Sequence, residues 1–141
     1  MLELALASAI MCSASRVESQ SSPLSLVEAE LLVYQVPALR SFRRQGGQAP
    51  TFESMTAEGL DHEHYFVFYV YDSQPTEGSP TIGSFAVNKL TADVIDLGPV
   101  VRIDDSELRG AQEIVRRAHG IDLRKVVELR DLPVWRAKSE H

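Results

Sequence analysis

Tyr65-Phe66-Val67-Phe68-Tyr69-Val70-Tyr71 is the stretch that decides the fold. After a polar connection it is followed by Thr81-Ile82-Gly83-Ser84-Phe85-Ala86-Val87-Asn88. The turn Lys89-Leu90-Thr91-Ala92 then leads to Asp93-Val94-Ile95-Asp96-Leu97. Aromatic and β-branched residues fill these runs and turn formers separate them, which predicts three consecutive antiparallel strands. Within the first, Phe66, Phe68 and Val70 share one face, and Tyr65, Val67, Tyr69 and Tyr71 share the other. The phenylalanine face is expected to pack on helices. The tyrosine face, whose hydroxyls tolerate water, is expected to stay partly exposed. Asp72 to Pro80 carries Pro75, Gly78 and Pro80, so the connection reads as a long loop and not a tight hairpin.

Working outward, the helices announce themselves by their ends. Ser25 with Glu28 three residues on forms a capping box, and Leu24 precedes it as an apolar staple. Leu26, Ala29, Leu32, Val33 and Val36 recur at helical spacing until Pro37, which cannot continue the ladder. Pro37 then opens a second segment over Ala38 to Arg44, ended by Gly46-Gly47. Pro50 to Glu58 is a candidate first strand, and Gly59 to Glu63 a turn. A further helix is predicted from Asp104 to Ala118, capped by Asp104 or Asp105 and closed by Gly120. Its expected buried stripe is Leu108, Ala111, Ile114, Val115 and Ala118, with Arg116, Arg117 and His119 complementing the dipole at its far end. Residues 123–129 read as a short helix or strand, and Leu132 to Trp135 as a last packing segment. The sum is an α+β fold in which an antiparallel sheet of three to four strands carries helices on one face.

The chain of 141 residues has 20 acidic and 14 basic side chains, a net charge of -6. That balance argues against a nucleic-acid surface, which needs a basic face to displace counterions from phosphates. A single cysteine, Cys12, excludes an intrachain disulfide and a thiolate metal cage. No apolar run reaches the roughly 18 residues that span a bilayer. Leu2 to Cys12 is nevertheless almost wholly apolar or small, and Ser13-Ala14-Ser15 follows it. Two readings stand. One is the h-region and cleavage site of an export signal, with Glu3 where a basic residue would be expected. The other is an ordinary N-terminal helix. On the first, residues 1–14 precede a single α+β domain of residues 15–141 in a periplasmic or secreted protein; on the second, the protein is cytoplasmic.

Chemistry is harder to find. His62-Glu63-His64 is the one cluster of potential metal ligands; on a strand both imidazoles would point to one side, yet a third and fourth ligand are missing. The pair therefore reads as the solvated entry to a strand, and neither metal nor cofactor is expected. Ser84 lacks the second glycine and the following helix of a nucleophile elbow, and Cys12 sits in apolar surroundings that disfavour a thiolate. Asp93 reads as a turn residue, and Asp104 and Asp105 as caps. Gly78-Ser79-Pro80-Thr81 is followed by a strand and is no phosphate loop. What remains is an aromatic set, Tyr65, Tyr69, Tyr71 and Trp135, of the kind that a binding surface uses.

The run Thr81 to Val94, with Val87-Asn88-Lys89-Leu90-Thr91-Ala92-Asp93-Val94 at its centre, resembles the hairpin of small bacterial PepSY-like and cystatin/NTF2-like secreted domains. Ala92 stands where those hairpins usually carry glycine. The resemblance implies a helix-then-sheet layout and a mostly non-catalytic role, as in peptidase-inhibiting modules, immunity proteins or envelope subunits. The leading expectation is thus a non-enzymatic binding domain whose partner is another protein, such as an enzyme that it restrains. Two alternatives accompany it. In an NTF2-like ligand pocket or enzyme, His62, His64, Tyr69 and Asp96 would converge. In a homo-oligomeric structural subunit, the tyrosine face would be buried in a homodimer.

Overall fold

The computed structural model describes residues 22–74 and 80–135. The apolar opening with Cys12 and residues 75–79 of the long loop lie outside them. The order of elements is α1 (Leu26–Tyr34), α2 (Pro37–Arg44), β1 (Thr51–Ser54), β2 (Tyr65–Tyr71), β3 (Thr81–Asn88), β4 (Val94–Asp96), β5 (Val101–Arg102), α3 (Ser106–His119) and α4 (Val127–Arg130). The strands form one antiparallel meander in sequence order. The fold is α+β, as expected, with five strands in place of three to four. No described helix is long and apolar enough to cross a membrane.

The capping box forms as the sequence predicts. Glu28 N–H donates to Ser25 Oγ, and Ser25 N–H to Glu28 Oε1. Pro37 is the first residue of α2, where its missing N–H has no helical partner to lose. Asp105 caps α3, and Gly120 ends it in the left-handed region at φ 66°. Ala29, Leu32, Val33, Leu39 and Leu108 from these helices, with Val36 between α1 and α2, meet Phe68, Val70, Phe85, Val87 and Val94 from the sheet in the main core. The Phe85 ring lies across the backbone of Gly83, two residues back on the same face. A methyl group at Gly83 would stand 2.8 Å from that ring. The glycine that failed as part of a nucleophile elbow is therefore there to let a core phenylalanine lie flat.

Two expectations are corrected. The buried stripe of α3 is rotated from the predicted one: Leu108, Gln112 and Arg116 are buried, while Ile114 is 70% exposed and Ala118 faces water. Polar side chains hold that face inward because the β3–β4 turn offers them partners. Gln112 Nε2 donates to Ala92 O and Arg116 Nε to Thr91 O. Nor does all of the helical structure lie on one side. The segment running through α4 to Trp135 crosses the opposite face, where Leu60, Tyr65, Val67, Ala86 and Val134 form a second core with Leu132 packed on it.

Candidate functional site

Strand parity puts Tyr65, Val67, Tyr69 and Tyr71 on the outer face, as read from the sequence, but their surroundings differ along the strand. Tyr65 is 1% exposed, with its hydroxyl donating to Leu132 O at 2.5 Å. Burial pushes that phenol above its ordinary pKa. Asn88, its cross-strand partner, donates from Nδ2 to Leu129 O. The C-terminal segment thus pins itself to this end of the sheet through two buried polar anchors. Tyr65 is corrected from a surface candidate to a core residue.

Beyond that cover none of the described residues of the C-terminal segment lies over the outer face. The Tyr69 and Tyr71 rings stack with centroids 5.5 Å apart, both half-buried. The Tyr69 hydroxyl lies 2.6 Å from Thr81 Oγ1, which fixes the ring's tilt. Glu53 and Thr51 stand opposite them on β1, and Ser84 opposite Tyr69 on β3. Stiff aromatic rings with wet hydroxyls and a flanking carboxylate make a patch suited to another protein's surface. Trp135 stands half-exposed elsewhere, bridged to Leu60 and lying over Gly59 on the β1–β2 connection.

His62 and His64 lie in a turn and not at the start of a strand, so two-residue spacing does not align them. His64 Nδ1 contacts Asp61 Oδ2 at 2.8 Å, and Asp61 Oδ1 accepts the N–H groups of Glu63 and His64. The carboxylate organises the turn. A ligand atom from each of Asp61, Glu63 and His64 falls within 4.8 Å of the others, and His62 is outside that group. Nor do the residues of the pocket reading converge. Asp96 pairs with Phe85, whose side chain faces the helices, whereas Tyr69 faces outward.

A buried charge cluster at the β3–β4 turn has no local signature among the residues that build it. Asp93 is 2% exposed. Arg130 of α4 holds it through Nε at 2.9 Å and Nη2 at 3.1 Å, and Arg116 of α3 through Nη2 at 3.2 Å. Thr91 Oγ1 donates to the same carboxylate at 2.8 Å. One aspartate therefore ties a helix on the inner face to the short helix on the outer face. Burial pushes the Arg116 guanidinium below its ordinary pKa; Asp93 opposes this, and the nearby Arg130 and Arg102 cations add to it.

No family model matches the chain, and no curated protein matches it in sequence. Among solved structures it is similar to a chain in the structure of a type VI secretion system effector–immunity complex from Pseudomonas protegens, with 22% identity and a TM-score of 0.54. The match covers 77% of this chain and 88% of that one. At that identity the likeness is one of fold.

Proposed function

We propose that this protein is a non-enzymatic binding domain of the immunity type, which occupies and restrains a protein partner, an enzyme in the simplest case. The observation that carries the reading is the half of the outer sheet face where Tyr69 and Tyr71 stack beside Glu53, beyond the part that the described C-terminal residues up to Trp135 cover. Aromatic anchors of this kind supply much of the binding energy of protein interfaces. The likeness to a chain of an effector–immunity complex supports the same reading, as does the hairpin around Asn88, which resembles that of non-catalytic secreted modules. The acidic balance of the chain favours a basic partner and hastens its encounter.

The test is affinity capture from native extract with the wild-type chain and with the double variant Tyr69→Ser, Tyr71→Ser. The wild type is expected to recover a stoichiometric protein partner, and the variant, still folded, to lose it by at least tenfold in affinity, about 1.4 kcal/mol. Recovery of no partner overturns the proposal. So does a partner held equally well by the variant, or a homodimer in light scattering that the same two substitutions dissolve.

A further inference from the structure

Between β5, α3 and α4 the surface opens into a cavity of 360 Å³. Its walls carry four guanidinium groups: Arg102 of β5, Arg109 and Arg116 of α3, and Arg130 of α4. Asp93 forms its floor, where two cations share one carboxylate and leave a positive charge over. The bonds to Asp93 and Thr91 use Nε and Nη2 of these two arginines, and Nη1 of each is not among the atoms that make them. At the rim, Arg102 is held by Asp131 and Arg109 by Asp104. Those carboxylates are 78% and 83% exposed. An exposed ion pair contributes only about 0–1 kcal/mol, so an incoming anion can exchange for either aspartate at little cost.

The chain as a whole is acidic and offers an anion no long-range attraction, so the attraction must be local. Four arginines around one recess provide it. Planar guanidinium forks match the geometry of carboxylate and phosphate oxygens better than an ammonium does. The volume falls within the roughly 300–1,000 Å³ of small-ligand sites. We propose that this recess is an oxyanion site, which takes a carboxylate or phosphate group between Arg102, Arg109, Arg116 and Arg130. It is separate from the tyrosine patch and does not depend on the function proposed for that patch.

The experiment is an NMR titration of the full chain with sodium phosphate, sodium acetate and hexaglutamate, each against sodium chloride at equal ionic strength. Saturable shifts are expected at Ile103, Gln112 and Arg116. The double variant Arg102→Gln, Arg109→Gln leaves the Asp93 cluster intact and is expected to bind at least tenfold more weakly, with an otherwise native spectrum. Asp104→Asn removes a competing carboxylate and is expected to bind severalfold more tightly, an effect that a purely structural role for these residues would not produce. Saturation by phosphate or acetate alone assigns the site to a free small anion. Tighter saturation by hexaglutamate at the same residues assigns it to an acidic segment of another protein. Shifts no larger than those from chloride, or saturation unchanged in the double variant, overturn the proposal.

Discussion

Ala92 shows how much one backbone angle can decide. It occupies the left-handed region at φ 63° and is fully buried against the main core. The turn is built around it: Asn88 Oδ1 accepts the N–H groups of Leu90 and Thr91, and Ala92 N–H donates to Asn88 O. A side chain in this conformation costs about 1–2 kcal/mol, which is why glycine is the residue expected at such a position. The buried methyl group returns about 0.8 kcal/mol, and a glycine would also be freer when unfolded by about 0.4–1 kcal/mol. The opposing effects nearly cancel. Ala92→Gly is therefore expected to change the unfolding free energy by less than about 1 kcal/mol, whereas Ala92→Val, β-branched and too large for the site, is expected to cost about 3 kcal/mol or more. Urea denaturation of the two variants checks this, and a large gain or loss for the glycine variant would show that one effect dominates. The sequence exposed the oddity of an alanine at this position. It could not show that the alanine's methyl is buried, because that depends on helices far away in the chain.

Elements were legible wherever a local pattern specified them. Capping boxes, prolines and the αL glycine are short-range signals, so α1, α2 and the ends of α3 follow from a few adjacent residues. The orientation of α3 was not legible, because Gln112 and Arg116 look like surface residues until the β3–β4 turn presents Ala92 O, Thr91 O and Asp93 to them. The i, i+4 row Leu108-Gln112-Arg116 was the signal, but hydrophobicity alone gives it no weight. Strand β5 was missed because two residues carry no periodicity. The N-cap of α3 has a role beyond its helix. Asp105 accepts from Leu108 N–H at 3.0 Å and receives both Nη atoms of Arg40, which joins α2 to α3. The Arg40 guanidinium, with the help of Leu108 N–H, holds the Asp105 carboxyl well below the usual carboxylate range. With its folded pKa depressed, the group stabilises the protein above its unfolded pKa of about 3.9, and that stabilisation is lost as pH falls toward the folded value. Asn is as good a cap as Asp but carries no charge. The stability gap between wild type and Asp105→Asn is thus expected to be constant above about pH 5 and to narrow progressively below about pH 4. Urea midpoints measured from pH 3 to pH 7 give the answer; a gap independent of pH would mean that the ion pair contributes nothing.

At the scale of the whole molecule, the C-terminal segment turns a two-layer fold into one with both faces of the sheet partly covered. The polar ties of that cover include Tyr65 to Leu132 O, Asn88 to Leu129 O, Asp61 N–H to Val134 O, Arg102 to Asp131, and Arg130 to Asp93. Asp93 is the one that also grips the inner layer, through Arg116. Deleting its carboxylate leaves two guanidinium groups facing each other without the anion that balanced them. Removing one member of a buried ion cluster in this way typically costs about 3–5 kcal/mol. Asp93→Ala is expected to fall in that range. Arg130→Met is expected to cost less, since Asp93 keeps Arg116 and Thr91 as partners. The two variants also separate the layers. Trp135 is the only tryptophan and lies in the outer segment, so its fluorescence follows the cover, while far-UV circular dichroism follows the helices and sheet. In Arg130→Met the fluorescence transition is expected to move to lower denaturant ahead of the dichroism transition, because only the outer tie is cut. In Asp93→Ala both are expected to move together, because inner and outer layers lose the same anchor. Coincident transitions in Arg130→Met would show that the cover does not detach on its own, and that the sheet's two faces fold as one cooperative unit.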